Sequence, residues 1–431
     1  MKYLIGKMLL KKQKKSIFIN IWLLVLFICS NHLLSIAKKI EVNKNGKIQS
    51  ISFAINFAQE NDTIYIRKGT YFEKNIFIGK PLTIIGENGT IVDCRSEDAF
   101  GFLIKTKNFI IKNITIKNIG ISYIKDNAAI KFDSCENVIV ENIEVDNGFF
   151  SIYFSRSQNF TIRNCILRGQ ANRTESNSGN GIHLWYCNNA RIEGNRVQLQ
   201  RDGIYFEFVK NSLIQNNVCE NNLRYGLHFM FSDSCSYRNN AFRRNGAGVA
   251  VMYTNRVYMV DNIFENNWGP SSYGLLLKDI KRSYVSRNQF LNNTVGIYME
   301  GTDQTLFEKN NFYKNGWALR ITGNCEDNTF RYNNFIANTF EVATNSSQNR
   351  NIFDRNYWSG YSGYDLNKDG IGDVPYIPVS LFTIIIQSNN YAVLLFRSFF
   401  VDILEVAEKI FPSIVPKYLV DRKPAMRQFK W

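Results

Sequence analysis

The central part of the chain repeats one pattern of apolar and polar positions. In each copy a glycine is followed by four residues of which the first and third are apolar, as in GIHLW at Gly181 and GIYFE at Gly203. Such alternation indicates short β-strands with one buried face. The copies begin at Gly181, Gly203, Gly226, Gly248, Gly274 and Gly296, so successive copies lie 22, 23, 22, 26 and 22 residues apart.

This period predicts the fold class. Each repeat carries three short alternating runs separated by asparagine or glycine, which describes one coil of an all-β, right-handed parallel β-helix, a pectate-lyase-like solenoid with coils of about 22 residues. Earlier copies keep the phase, because Ile130 and Ile152 are again 22 residues apart. Side chains at the first and third positions after the glycine are expected to fill the lumen, and those at the second and fourth to point outward.

A coil cannot bury its apolar face alone, so the stack needs caps at both ends. An N-terminal helical cap is predicted from the apolar stripe formed by Ile48, Ile51, Ala54, Ile55 and Ala58. The β-helix is assigned to residues 38–356.

An acidic and aromatic closing segment, residues 357–378, follows the last coil. Part of it has the spacing of a calcium loop, with the candidate ligands Asp365, Asn367, Asp369, Ile371 (through its carbonyl) and Asp373. Tyr376 stands where an EF-hand carries a bidentate glutamate, so the loop is not a full EF-hand. Two interpretations remain open: a loop that holds a structural calcium ion, and an Asp/Asn/Gly turn without an ion.

The tail, residues 379–431, is apolar and has lost the 22-residue phase. Apolar residues at helical intervals over 391–411 predict a C-terminal amphipathic helix, and its charged residues are too frequent for a membrane span. This helix either packs on the β-helix or lies against a membrane protein.

Residues 1–37 read as a secretory signal peptide, with six lysines, an apolar run and a small-x-small site at Ser35–Ala37. An uncleaved anchor helix is the alternative. Without these residues the chain has 46 basic and 37 acidic residues, and no basic cluster suggests nucleic acid as a partner. Seven cysteines remain without a C-x-x-C pair, and their scattered placement favours small buried side chains over disulfides.

Two histidines and two methionines fall on the predicted outward positions. His183 and His228 share the second position, with Tyr205 between them, and the fourth position carries Glu207, Met230 and Met252. Imidazole and thioether groups suit Cu(I) better than calcium or magnesium. The candidate copper ligands are therefore His183, Glu207, His228, Met230 and Met252; alternatively, a loop covers the methionines and they merely pack. Few acids lie on the outward columns, which argues against a polysaccharide hydrolase or lyase.

Several phrases of the sequence resemble the NosD family. They include GNGIHLWYC, RYGLHFMFS, NYWSGYSGYDLNKDGIGDVPYIPVSLF and, in the tail, DRKPAMR, and the similarity runs in order from about residue 46 to 428. The resemblance implies a periplasmic, non-enzymatic accessory protein that works with an ABC-type ATPase and an inner-membrane permease to assemble the copper centres of nitrous oxide reductase. It also implies a copper chaperone lipoprotein as a partner, and either Cu(I) or a sulfur species as cargo. The alternatives are a polysaccharide-binding or polysaccharide-cleaving β-helix and an adhesin-like structural solenoid.

Overall fold

Three long parallel sheets form the molecule. A computed structural model describes residues 37–122, 124–170, 174–346, 350–411, 414–415 and 418–431. The chain divides into a short unit, Met1–Lys39, and the unit Ile40–Trp431. The predicted signal peptide, apart from residue 37, lies outside the described residues.

Within these residues the chain passes from sheet A to sheet B to sheet C and back once per coil. Sheet A has 14 strands: Lys39–Val42, Thr63–Ile66, Thr83–Gly86, Lys107–Lys112, Glu136–Glu141, Gln158–Arg163, Asn188–Glu193, Leu213–Gln215, Ser236–Arg238, Tyr258–Val260, Tyr284–Ser286, Leu306–Glu308, Thr329–Arg331 and Ile352–Asp354. Sheet B has 13: Gly69–Tyr71, Thr90–Asp93, Thr115–Lys117, Glu144–Asp146, Ile166–Arg168, Arg196–Gln198, Val218–Glu220, Ala241–Arg243, Ile263–Glu265, Gln289–Leu291, Asn311–Tyr313, Asn334–Ile336 and Tyr357–Trp358. Sheet C has 12: Ile76–Ile78, Phe102–Ile104, Ala128–Asp133, Phe150–Ser155, Ile182–Trp185, Ile204–Glu207, Tyr225–Met230, Ala247–Met252, Leu275–Lys278, Val295–Glu300, Trp317–Ile321 and Phe340–Thr344.

This arrangement confirms the predicted right-handed parallel β-helix. From the Thr63–Ile66 strand onward every strand pair within the three sheets is parallel, and the register joins equivalent positions of successive repeats, for example Ile130 with Ile152 and Ile182 with Ile204. The first and third positions are buried, as Ile204 and Phe206 show with no exposed surface. The core is therefore the lumen, filled by apolar residues from all three sheets.

The repeat glycine is required by close backbone approach. A Cβ atom built on Gly203 would lie only 2.5 Å from the carbonyl oxygen of Gly226 in the next coil, and one on Gly248 only 2.3 Å from that of Gly274. A side chain at this corner would push the coils apart, which explains the glycine at this position in the six successive coils from Gly181 to Gly296.

Buried asparagines form a continuous hydrogen-bonded ladder beside the lumen. At each step the side-chain amide donates to the carbonyl oxygen of the next asparagine, as from Asn240 to Asn262 at 3.0 Å. The same amide of Asn240 also donates to the backbone oxygen of Ile214 at 3.1 Å. The members of this ladder are Asn195, Asn217, Asn240, Asn262, Asn288, Asn310, Asn333 and Asn356. Paired amides satisfy the polar groups of a buried corner.

The N-terminal cap is helix α1, Ile51–Phe57, which buries Ile51, Ala54 and Ile55. Its first turn is stabilised by the Ser50 side chain, which accepts from the backbone N–H of Phe53, and by the carboxylate of Glu73, which accepts from the N–H of Ile51 at 2.6 Å. The predicted cap helix is thus present.

The tail contains two α-helices rather than the one expected over 391–411. Helix α2, Leu381–Ser388, is followed by a 3₁₀ helix, Asn390–Leu395, and by α3, Phe399–Ile410. The helical path breaks at Arg397, whose φ is +65°, and α3 restarts after Ser398. A further 3₁₀ turn, Glu175–Asn177, lies in the loop before the Ile182 strand.

Helix α2 packs on the last coils, where Phe382 and Ile386 contact Trp317 and Phe340 of sheet C. Helix α3 instead leaves several large apolar side chains exposed. Among the described residues no helix combines the length and apolarity needed to cross a bilayer. The seven described cysteines are free and buried, which confirms the expectation of small core residues.

Candidate metal-binding face

The candidate copper ligands lie on two adjacent outward columns of sheet C. The register aligns His183 with Tyr205 and Tyr205 with His228, which we call the second-position column. It also aligns Glu207 with Met230 and Met230 with Met252, the fourth-position column. The repeat phase thus brings all five candidates to one face of one sheet.

Aromatic rings stack along the second-position column. The ring centroids of Tyr153 and His183 are 4.5 Å apart, those of His183 and Tyr205 4.7 Å, and those of Tyr205 and His228 5.0 Å. Tyr205 therefore separates the two imidazoles. In this arrangement a single ion cannot contact both histidines.

The second-position column is more enclosed than an outward position suggests. His228 is 4% exposed and Tyr205 is 9% exposed. The ring of Tyr225 lies 4.8 Å from that of His228, and the guanidinium of Arg224 lies 4.9 Å from the Tyr225 ring. These side chains come from the corner that precedes the strand, and they cover the column from one side.

A buried carboxylate, Asp202, lies beside His228. It has no exposed surface, and it accepts two hydrogen bonds from the guanidinium of Arg224, at 2.9 and 2.6 Å, and one from the N–H of Tyr225 at 3.2 Å. Burial alone would raise the pKa of Asp202, but the contacts with His228 and Arg224 outweigh it and lower this pKa to about 2. Asp202 is therefore ionised at neutral pH.

One ring nitrogen of His228 lies beside charged side chains, and the other makes no hydrogen bond. Its Nδ1 lies 3.2 Å from the Arg224 guanidinium and 3.6 Å from the Asp202 carboxylate. Its Nε2 is buried and makes no hydrogen bond. A buried imidazole nitrogen normally has a partner, so this atom is the strongest sign of a ligand on this face. Its lone pair would be available to a metal ion in the tautomer that carries the ring hydrogen on Nδ1, towards the Asp202 carboxylate.

His183 is held differently. The side-chain amide of Asn180 lies 2.9 Å from Nδ1, so the amide donates to this nitrogen and the ring hydrogen is on Nε2. Burial, and then the nearby charge of Arg201, lower the pKa of His183 to about 3. His183 is thus neutral and positioned as part of the ring stack rather than as a ligand with a free lone pair.

Glu207 and Met230 lie beside the Tyr205 hydroxyl. This oxygen lies 3.3 Å from a carboxylate oxygen of Glu207 and 3.7 Å from the sulfur of Met230. Met230 and Met252 are neighbours in the register and both are half-buried. Across the described residues no group of three or more His, Cys, Asp or Glu side chains is placed to hold a metal ion. A metal site here would therefore depend on the thioether sulfurs, which favour a soft ion such as Cu(I).

The calcium-like loop uses its carboxylates for its own backbone. Asp365 accepts from the N–H groups of Asp369 and Gly370, Asp369 accepts from that of Ile371, and Asp373 accepts from that of Leu366. The amide of Asn367 contacts Asp369 at 3.2 Å. The contact between Asp369 and the N–H of Ile371 has the spacing of an Asx turn. The calcium loop and the turn without an ion both stay predictions.

Sequence reasoning missed the role of Asp202 and Arg224. Asp202 directly precedes Gly203, and Arg224 lies two residues before Gly226. The repeat could have located both at the corner that leads into sheet C. The phase does not show, however, that these side chains fold back over the outward columns.

Solved structures share this architecture at low sequence identity. The catalytic domain of a GH87 α-1,3-glucanase in complex with tetrasaccharides matches with a TM-score of 0.58 at 14% identity, covering 75% of this chain and 69% of that one. The Streptococcus pneumoniae surface protein and adhesin PfbA matches with a TM-score of 0.55 at 14% identity, covering 71% and 95%. These similarities concern the fold alone.

Comparison with protein sequences identifies relatives that are more similar to this chain than the solved structures are. A family model described as "Periplasmic copper-binding protein (NosD)" matches residues 168–367, which include both outward columns. The chain is 26% identical over 376 residues to a protein of Stutzerimonas stutzeri named "Probable ABC transporter binding protein NosD", with 83% of this chain and 85% of the relative covered. A Pseudomonas aeruginosa protein of the same name is 26% identical over 371 residues, with 82% and 86% covered. The chain is thus similar to the NosD family model over residues 168–367 and to two proteins named NosD over most of its length.

Proposed function

We propose that this protein is a periplasmic accessory factor that works with an ABC transporter to assemble the copper centres of nitrous oxide reductase, including its copper-sulfide cluster. It acts by binding rather than by catalysis, and its cargo is Cu(I) held on the outward face of sheet C. The observation that carries this proposal is the Nε2 of His228, which makes no hydrogen bond, on the same face of sheet C as the thioether groups of Met230 and Met252.

The chemistry of this face suits transient binding. Cu(I) accepts low coordination numbers and prefers imidazole and thioether ligands, which His228 and the two methionines supply. Glu207 is a harder ligand whose carboxylate neighbours the Tyr205 hydroxyl. The half-buried position of the methionines leaves one side of the face open for a donor or an acceptor protein, here a copper chaperone lipoprotein and the reductase.

The tail supports an association with the membrane transporter. Phe399, Ile403 and Ile410 of α3 are 77%, 50% and 62% exposed, while Val401 of the same helix is buried in the cluster with Phe382 and Ile386. Exposed apolar patches of this kind mark interaction sites. We assign α3 to the contact with the permease, whose ATPase subunit supplies the driving force. The predicted signal peptide would export the chain to this location.

A competition titration tests the cargo. The mature chain, kept anaerobic, is titrated with Cu(I) against a chromophoric chelator, and the double variant His228→Ala with Met230→Ala is compared with it. We expect at least about a tenfold loss of affinity from the loss of two ligands. The matched control is Leu276→Ala with Lys278→Ala, which changes the same two positions of a later coil.

Unchanged Cu(I) affinity in the folded double variant would overturn the site. Equal losses in the control pair would show that the effect is structural. If the wild-type chain binds no Cu(I) but retains a sulfur species, the cargo assignment fails while the transporter association stands.

A further inference from the structure

A depression on the outward face of sheet C lies on the N-terminal side of the candidate copper ligands. Its volume is about 470 Å³. Its floor is formed by two outward columns of three successive coils, in which Lys131 pairs with Leu103 and Tyr153, and Asp133 pairs with Ser155. Its charged lining residues are Lys105, Lys125, Asp126, Lys131, Asp133 and Arg156. We call it the basic depression.

Positive charge is in excess in the basic depression, since four basic and two acidic side chains line it. Asp133 lies in the middle of the floor, 2.9 Å from the ammonium group of Lys105 and 3.1 Å from the guanidinium Nε of Arg156. Burial opposes the ionisation of Asp133, but hydrogen bonds from Lys105 and Arg156 outweigh it and hold its pKa well below the ordinary value. Asp133 therefore stays charged and fixes both cations at the rim.

Lys131 is less fully neutralised. Its ammonium group lies 3.7 Å from the Asp126 carboxylate, beyond hydrogen-bonding distance, and 4.8 Å from the centre of the Tyr153 ring. The side chain is only 25% exposed, so the charge is partly withdrawn from water. A partly desolvated cation on a ring face attracts an anion more strongly than a free surface lysine.

One end of the floor is aromatic. The ring of Tyr153 is covered by Lys131 and, at 4.5 Å, by the ring of His183, so the accessible ring is that of the half-buried Trp185, which the register places next to Ser155. Flat ligand rings pack against such side chains, and a volume of this size accommodates a ligand of one or two rings.

We propose that the basic depression binds a carboxylate attached to a six-membered ring. The carboxylate lies beside Lys131, which no carboxylate of the floor contacts within hydrogen-bonding distance, and the ring lies along Trp185. Lys105 and Arg156 add positive charge at the rim. Two sources supply this chemistry: an acidic sugar such as a uronate, and an aromatic carboxylic acid. Because the site is open to solvent, binding is weak and falls as the salt concentration rises.

Binding of two probes to the metal-free mature chain tests the proposal. One is 4-(trifluoromethyl)benzoate, followed by ¹⁹F NMR, with its neutral benzamide analogue as a charge control. The other is tri-galacturonate, followed by saturation-transfer NMR. We expect at least one of the two acids to bind. If the aromatic acid is the ligand, the benzamide should bind about fivefold more weakly than the benzoate. Lys131→Gln should weaken binding of the acid by about the same factor.

The matched control is Lys278→Gln, which removes an outward lysine of sheet C several coils away and leaves binding unchanged. Arg156→Gln, at a 57% exposed side chain, provides a second variant if Lys131→Gln does not fold. Binding of tri-galacturonate alone assigns the sugar source, and binding of the benzoate alone assigns the aromatic acid. Absence of binding by both acids, or binding that neither Lys131→Gln nor Arg156→Gln weakens, overturns the proposal.

Discussion

The carboxylate of Asp421, in the last eleven residues of the chain, completes the asparagine ladder at Asn356. One oxygen of Asp421 accepts from the backbone N–H and the side-chain amide of Asn356, at 3.0 and 3.1 Å, and from the indole N–H of Trp358 at 3.1 Å. Asp421 has no exposed surface. The C-terminal segment thus closes the solenoid by occupying the position of the next asparagine.

Replacing Asp421 with alanine is expected to destabilise this end of the molecule. Three buried donors would lose their acceptor, at about 1–3 kcal/mol each, so we expect a loss of about 3–5 kcal/mol in the local free energy of unfolding. Hydrogen exchange at the amide of Asn356, compared with that of Asn240 in the middle of the ladder, measures the effect.

Asp421→Asn is the matched control. Its side-chain oxygen accepts the same three hydrogen bonds, so we expect a cost below about 2 kcal/mol. Equal protection of Asn356 in wild type and Asp421→Ala would show that the C-terminal segment does not cap the ladder.

A second prediction concerns the pH dependence of the same end of the molecule. Burial raises the pKa of Glu341 to about 7, against hydrogen bonds from the Tyr376 hydroxyl, at 2.8 Å, and from the backbone at Gly360. The folded state therefore binds more protons than the unfolded state between about pH 4.5 and 7, and the free energy of unfolding falls as the pH rises through this window. Because part of the Glu341 side chain reaches solvent, we expect the free energy of unfolding to fall by about 2 kcal/mol across this pH window.

Urea unfolding at several pH values, compared between wild type and Glu341→Gln, isolates this effect. Burial also raises the pKa values of Asp421 and Glu408, which add to the slope with the same sign, so the difference between the two proteins is the relevant quantity. The glutamine keeps an acceptor for Tyr376 but cannot ionise. Parallel pH profiles for the two proteins would contradict the assignment.

The periodicity predicted the solenoid because two independent constraints repeat together. Alternation fixes which side chains enter the lumen, and Gly203 and its equivalents mark where the backbones of neighbouring coils come closest. The tail was harder to predict. Its break at Arg397 depends on one positive φ angle, and the role of Asp421 depends on a contact with Asn356 that is 65 residues away in sequence.

The outward face was predicted only in part. Register along sheet C follows from the repeat, so the alignment of His183, Tyr205 and His228 was accessible from spacing. The enclosure of His228 was not, because it depends on the side-chain paths of Arg224 and Tyr225. The repeat phase specifies whether a side chain points into the lumen or outward, but it does not show which other side chains cover an outward position.

A third prediction concerns the loop at Asp365–Asp373. Its carboxylates already accept backbone N–H groups, so we expect the turn to keep its shape without an ion. We expect the thermal unfolding midpoint to change by less than about 2 °C between millimolar calcium and excess chelator. Asp369→Ala, which removes the acceptor for Ile371, should lower this midpoint equally in both conditions. A rise of several degrees with calcium, abolished in Asp369→Ala, would instead identify the loop as a calcium site.

A last prediction concerns a ridge of stacked aromatic rings, Tyr186, Phe208, Phe231 and Tyr253, in the four coils that carry the candidate copper ligands. All four have positive φ angles near +50°, and Phe231 is 41% exposed.

Asparagine tolerates this backbone better than phenylalanine, so relief of strain offsets much of the lost stacking, and Phe231→Asn should cost no more than about 1 kcal/mol in urea unfolding. Phe229→Asn, two residues earlier in the lumen, should cost more than about 4 kcal/mol. Similar losses in both variants would place Phe231 in the folding core; a small loss at Phe231 alone would show that folding does not require this exposed ring.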